Sequence, residues 1–322
     1  MSRVDDILNN MKFSVNVPEV SKDIIDLNLS FDSVKNIESK PGVYCGISEL
    51  SNIFSWKKGF SYLFTGSPNT GKTTMILFLY LIMSILYGWK WCIWSPEMID
   101  TYVKNKKVTY HAKDLIYLMI WTLAGKTPYK YYAEKHDPLN GYLSDAEIGD
   151  LYGWITDHFQ FIETNDRTPA GLIEAFLYYD QLKDFDGFLI DPWKSVKQDI
   201  NMRSDIWLED ILMEFKKFSY ETNSLQTFIV HPKALKEYKD SDGNFRVITP
   251  FDLNGGAAWS NSMDVIVSLR RLESNTEWYT YKARKQHLIG KTGSFENITF
   301  SIDKYRFYFN GNDPIENGLR KK

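Results

Sequence analysis

Residues 59–87 read GFSYLFTGSPNTGKTTMILFLYLIMSILY. The opening GFSYLFTG, residues 59–66, reads as a strand, and Lys72 to Tyr87 as a helix. Between them GSPNTGKTT, from Gly66 to Thr74, fits the pattern G-x-x-x-x-G-K-S/T in the strand-to-helix setting that gives the motif its meaning. Its glycines let backbone N–H groups curl around phosphates, and the helix behind them adds its N-terminal dipole. Lys72 is expected to reach the β- and γ-phosphates, and the Thr73 hydroxyl to ligate Mg²⁺. The candidate nucleotide-binding set is therefore Gly66, Ser67, Pro68, Asn69, Thr70, Gly71, Lys72, Thr73 and Thr74, with ATP or another nucleoside triphosphate and Mg²⁺ as cofactors.

Outward from this stretch, strands alternate with helices of about 12–18 residues, the signature of a mostly parallel sheet. WKWCIWSPE (89–97), HFQFIET (158–164), GFLID (187–191) and QTFIVHP (226–232) read as strands. GLIEAFLYYDQLKDF (171–185) and DIWLEDILMEFKKFSYETN (205–223) read as helices. Residues 100–150 read as helical, with an insertion-like surface segment at KTPYKYYAEKHDPLNGY (126–142). DVIVSLRRL (264–272), WYTYKAR (278–284), ENITFSID and YRFYFNG close the chain as β-structure. The expected fold class is α/β: a twisted, mostly parallel sheet with helices on both faces and a β-rich C-terminal edge. The apolar run from Met75 to Trp94 approaches the length of a bilayer span. It begins inside the phosphate loop and breaks at Gly88 and Lys90, so it reads as a buried helix followed by a buried strand.

The chain has 322 residues, enough for one large α/β domain and a modest extension. Residues 1–42 read as an N-terminal arm or linker, and residues 43–322 as the domain proper. Ten Trp, 20 Tyr and 20 Phe form a heavy aromatic load, read as core packing, with base stacking as the sharper alternative. The net charge of −3 gives no global attraction to nucleic acid, so such contacts must come from local basic loops. Cys45 and Cys92 have no metal-ligand spacing, and MSRVDDILNNMKFSV lacks the apolar core of a signal peptide. A reduced, cytoplasmic protein without a membrane anchor is expected.

Three further side chains stand at strand tips beside the loop. Asp191 ends GFLID, where a Mg²⁺-side carboxylate belongs, and no second acid follows it. Glu97 ends WCIWSPE and is the candidate to polarise the attacking water. His231 closes QTFIVHP and could touch the γ-phosphate and report its loss to the loop that follows.

Taken in order, TGSPNTGKTT, WSPEM, LIDPW, IVHP, DLNGGAAWSNSMDVIVSLRR and KQHLIGKTG resemble the RecA-like motor domain of DnaB-type and Twinkle-type replicative helicases. The likeness runs from about Val43 to Phe309. It implies an ATP hydrolase that forms a ring, a hexamer, and translocates 5′→3′ on single-stranded DNA at a replication fork. A primase, polymerase or loader protein is an implied further partner, although the primase domain of some relatives has no room here. The Asn/Lys/Ile/Tyr-rich composition hints at a phage, and thus at a host cytoplasm. By resemblance, Glu97 matches the catalytic glutamate and His231 the γ-phosphate sensor. Lys285 matches a lysine that one subunit inserts into its neighbour's site. The family's arginine finger falls on His287, with Arg284 close by. Read as an extended strand, KARKQH would turn Lys285 and His287 to one face and Arg284 to the other. Loops 194–203 and 233–246, both with Lys and Arg among polar residues, would track the DNA backbone. Two other readings are a recombination ATPase of the RecA or RadA type that forms filaments on DNA, and a regulatory P-loop ATPase.

Overall fold

A computed structural model describes residues 40–96, 101–103, 106–108, 110–234, 239–241 and 243–319. In chain order, β1 (Val43–Tyr44) and β2 (Ser55–Trp56) form a small antiparallel pair. Strand β3 (Ser61–Gly66) runs through the phosphate loop into α1 (Lys72–Tyr87), followed by β4 (Trp91–Trp94). A hairpin of β5 (Thr101–Val103) and β6 (Lys106–Val108) precedes three helices, α2 (Tyr110–Ala124), α3 (Lys130–His136) and α4 (Asp145–His158). Then come β7 (Phe159–Ile162), α5 (Pro169–Leu182), β8 (Gly187–Ile190), α6 (Ser204–Glu221) and β9 (Leu225–Ile229). The chain closes with α7 (Gly256–Ser262), β10 (Val265–Arg271), β11 (Thr276–Ala283), α8 (Gln286–Ile289), β12 (Gly293–Ser301), β13 (Arg306–Phe309) and α9 (Pro314–Leu319).

The main sheet has nine strands in the order β13-β12-β11-β10-β3-β9-β8-β4-β7. From β10 to β7 every pairing is parallel, and from β10 to β13 every pairing is antiparallel. This is the expected parallel core with an antiparallel C-terminal edge. Two apolar clusters cover its faces. One is centred on α1 and draws in α2 and α4, and the other is built from α5, α6 and α7.

The long apolar run resolves as α1 and β4, both buried. Helix α1 is apolar nearly all round because it is enclosed on every side, which removes the need for a polar face. It ends where Gly88 adopts φ 70° and donates its N–H to Ser84, a left-handed C-cap. Among the described residues no helix is long and apolar enough to cross a membrane. Much of the aromatic load is core: Trp56, Trp91, Trp94, Trp259 and Trp278 are fully buried. Tyr80 on α1 lies flat against Trp91 on β4, with ring centroids 3.5 Å apart and planes 6° from parallel.

Sequence reasoning expected residues 100–150 to be helical throughout. Instead their first part is the β5–β6 hairpin, whose three-residue strands are too short to show a period. The insertion-like segment contains α3, and α4 starts at a capping box in which Ser144 and Glu147 satisfy each other's backbone N–H groups. Arg306 on β13 fastens this helical block to the sheet. Its Nε and Nη2 donate to the carbonyls of Thr122 (2.5 Å) and Leu123 (2.6 Å) at the end of α2. Its Nη1 sits 2.8 Å from the buried carboxylate of Asp313.

Candidate nucleotide site

The carboxyl ends of parallel strands are where open α/β sheets bind ligands, and the phosphate loop leaves β3 at that end. Gly66 has φ +148°, and a Cβ on it would lie 2.3 Å from the Leu269 carbonyl oxygen and 3.0 Å from Thr70 Oγ1. Only glycine fits there. Asn69 (φ 60°) and Gly71 (φ 78°) turn the chain so that the first amides of α1 face back into the loop. Buried Lys72 folds over this concavity and donates from Nζ to Gly66 O (3.1 Å), Ser67 O (2.9 Å) and Thr70 Oγ1 (3.5 Å). The Ser67 hydroxyl is buried with no hydrogen-bond partner among the described residues. A buried orphan donor beside helix-start amides and an ammonium group is the chemistry a polyphosphate satisfies.

Thr73 Oγ1 donates to Asp191 Oδ2 at 2.6 Å, although the two residues are 118 positions apart. Asp191 follows β8 and is buried, with its N–H donating to Trp94 O at 3.1 Å. Its carbonyl accepts the Ser95 hydroxyl at 2.7 Å. The tips of β4 and β8 are thereby locked together under the loop. Among the described residues no group of three or more His, Cys, Asp or Glu could cage a metal. A hydroxyl and one carboxylate, both hard oxygen donors, suit Mg²⁺, which keeps its waters and takes phosphate oxygens for the rest of its shell.

A cavity of about 360 Å³ adjoins the loop, with Thr70, Gly71 and Thr74 on one wall and Arg271, Phe300 and Tyr305 among the others. Its size suits a nucleoside. Burial raises the Tyr305 phenol, partly offset by a hydrogen bond with Thr74, so the ring stays neutral. Trp121 of α2 stacks on it at 5.3 Å and 28°. Arg271 Nη1 lies 3.5 Å from Asn69 O, which ties the end of β10 to the loop.

His231 follows β9 and lines a second cavity of about 250 Å³ with Trp193, Lys194, Gln198, Trp207 and Asn254. The cavity therefore borders the 194–203 segment. The 233–246 segment is held at its ends. Lys233 N–H donates to Asp252 O (2.9 Å), and Arg246 pairs with Asp252 through both guanidinium nitrogens (3.2 and 2.7 Å). Residues 235–238 and 242, Lys236 among them, lie outside the described residues, as does Glu97.

The remaining candidates lie at the other end of the sheet. In register, Val265 on β10 pairs with Tyr62 on β3 and with Ala283 on β11, whereas Gly66 pairs with Leu269. Arg284 N–H donates to Asp264 O at 2.7 Å, level with the start of β3. Five strand positions, about 16 Å, separate that level from the phosphate loop. The expectation of an extended strand through KARKQH is corrected here. Strand β11 ends at Ala283, Lys285 takes a left-handed conformation (φ 59°), and His287 lies in the single turn of α8. Alternation therefore does not set which side chains share a face. Arg284 is engaged with the buried Asp264 (3.6 Å) and the Asn261 carbonyl. Lys285 and His287 are exposed. Lys57 lies nearby, and burial together with the Lys285 charge lowers its pKa. Burial, with the charges of Arg284 and Lys216, brings Lys282 down to about 8, against the opposing pull of Asp264.

Sequence reasoning missed Ser95, Arg271, Tyr305 and the Arg270 network described below. Only Ser95 carried a signal, as a small polar residue at the tip of a strand already placed beside the site.

No family model matches the chain. A Twinkle homolog protein, chloroplastic/mitochondrial, of Arabidopsis thaliana is 26% identical over 244 residues, 72% of this chain and 31% of the relative. The chain thus spans about a third of that relative's length. Among solved structures, the ATPase domain of a DnaB-like helicase superposes with a TM-score of 0.64 at 17% identity, covering 86% of this chain and 94% of that one. A DnaB-like replicative helicase, solved in a study of its interactions with primase, gives 0.60 at 17% identity, covering 88% of this chain and 68% of that one. These likenesses bear out the RecA-like α/β fold and the resemblance to DnaB-like and Twinkle-type motors.

Proposed function

We propose that this chain is an ATP-driven DNA helicase motor of the replicative kind, working as a ring on single-stranded DNA. The observation that carries the reading is the Thr73–Asp191 contact of 2.6 Å, closed beneath a phosphate loop at the carboxyl end of a parallel sheet. The likeness to DnaB-like ATPase domains and to a Twinkle homolog supports a helicase-type activity.

Each residue has a task in this reading. The loop amides and Lys72 bind the phosphates, and Thr73 and Asp191 hold Mg²⁺. Bound Mg²⁺ neutralises charge on the phosphoryl group being transferred. Glu97 orients and deprotonates the attacking water, and His231 reads the γ-phosphate from the tip of β9. The cavity beside Tyr305 and Arg271 takes the nucleoside. Lys285, about 16 Å of strand from its own phosphate loop, acts on the site of a second copy, with His287 as a weaker donor. The loops at 194–203 and 233–246 contact DNA, residues 43–322 form the motor, and residues 1–42 form an arm. A hexamer, a primase or loader partner, and a cytoplasmic setting, in a phage-infected host, complete the proposal.

The test is nucleotide hydrolysis with and without single-stranded DNA, run beside unwinding of a forked duplex and electron microscopy of the assemblies. DNA-stimulated hydrolysis, strand displacement and closed rings are expected. Helical filaments without unwinding would favour the recombination ATPase. Hydrolysis indifferent to DNA would favour a regulatory switch.

A further inference from the structure

Arg270 and Arg271 are consecutive and serve opposite sides of the end of β10. Arg271 reaches the phosphate loop at Asn69 O. Arg270, largely buried, holds two carboxylates at once: Nη2 is 3.0 Å from Asp240 Oδ2, and Nη1 is 3.5 Å from Glu277 Oε2. Tyr279 steadies the second partner by donating its hydroxyl to Glu277 Oε2 at 2.8 Å. Burial and then Glu277 push that phenol up to about 12, so it remains a donor across the working pH range.

Asp240 lies in the segment that follows His231. Its Oδ1 accepts the Asn244 N–H at 3.0 Å, and its own N–H donates to Asn244 O at 2.8 Å. Lys239 and Phe245 bridge antiparallel just outside that turn. One carboxylate therefore closes a small hairpin with one oxygen and grips Arg270 with the other. The residue before Arg270 is Leu269, whose carbonyl oxygen is so close to Gly66 that a Cβ there would sit 2.3 Å away. The path from the first glycine of the phosphate loop to the hairpin thus runs through two consecutive residues of one strand and one ion pair.

We propose that Arg270 is a positioning residue that ties the 239–245 hairpin to the flank of the phosphate loop, so that a bound nucleotide sets the state of the hairpin. A two-state element touched by both regions is what such coupling requires, and the hairpin supplies it. The proposal rests on the nucleotide site assigned above and needs no assumption about DNA.

The experiment is hydrogen exchange on the full chain, with and without a non-hydrolysable ATP analogue and Mg²⁺. In the wild type the analogue should protect the amides of the phosphate loop and change exchange in the hairpin by at least ~5-fold, the lower end of typical coupling. Asp240→Asn keeps an acceptor for the Asn244 amide and leaves Arg270 paired with Glu277. Its nucleotide-free exchange should match the wild type, its phosphate loop should still be protected, and its hairpin response should be lost. Arg270→Gln should behave alike, and the double variant should be no worse than either single one. A hairpin response that survives in Asp240→Asn, or losses that add in the double variant, would overturn the proposal. Phosphate-loop protection with an unresponsive hairpin in the wild type would overturn it alone. Absent loop protection in the wild type would overturn the nucleotide site as well.

Discussion

Arg306→Met removes a cation that joins three parts of the fold. The side chain is 3% exposed, and its nitrogens serve the last carbonyls of α2 and the carboxylate of Asp313, itself 6% exposed. Breaking a buried ion pair from one side costs about 3–5 kcal/mol, mostly because the remaining charge is stranded. Two features bring the value toward the lower limit. Asp313 Oδ1 still accepts the N–H groups of Ile315 (3.0 Å) and Glu316 (3.3 Å), so the carboxylate is not left bare. The methionine chain also fills most of the space of the arginine stem, which limits the cavity. The expected loss is about 3 kcal/mol in equilibrium urea unfolding followed by tryptophan fluorescence. Asp313→Asn combined with it should be less damaging than the sum of the two, by about 1 kcal/mol or more, because the stranded charge is gone. A loss below about 1 kcal/mol for Arg306→Met, or strict additivity in the pair, would refute this account of the anchor.

Gly66→Ala forces a Cβ against the Leu269 carbonyl in a backbone region that other residues avoid, so strain of about 1–3 kcal/mol is expected with loss of nucleotide affinity. Unchanged binding of a fluorescent nucleotide would contradict the packing described at that junction. Mixtures of Lys72→Ala and Lys285→Ala, each inactive alone, should regain hydrolysis, because a mixed interface pairs an intact phosphate loop with an intact Lys285. A fully active Lys285→Ala protein would remove that residue from the site. For Lys282, the folded value near 8 lies below its unfolded value, so between about pH 8 and 10.5 the unfolded chain binds more protons and stability rises with pH. The side chain is only half-buried, which reduces the amplitude. Wild-type urea midpoints should therefore gain on those of Lys282→Met between pH 7.5 and 9.5, and parallel profiles would show no depressed pKa.

What could be read without coordinates was what the backbone period and the glycines encode. Helix α1 begins and ends where Lys72 and Gly88 place it, because a motif of fixed geometry and a left-handed cap bound an unbroken apolar run. Asp191 was legible for a similar reason: an acid that follows a fully buried strand has few places to go. The end of β11 was not legible, since KARKQH is polar throughout and carries no period that tells a strand from a turn. Nor was Arg270, whose partner Asp240 lies 30 positions earlier in a segment that reads as an ordinary solvated loop. Pairings of that kind depend on which strands become neighbours, and β10 lies beside β3 only through the crossovers of the sheet.

The distance between Lys285 and the phosphate loop of its own chain has a bearing on how many subunits can work at once. With donor and acceptor at opposite ends of the sheet, completed sites arise only head to tail, and such a contact is polar. A pair of subunits then completes a single site, and any open row leaves its last acceptor and its first donor unused. Closure alone removes both vacancies. Turnover per subunit should accordingly climb with protein concentration and level off when rings close. A fragment able to cap one terminus should hold the assembly short and its activity below that plateau.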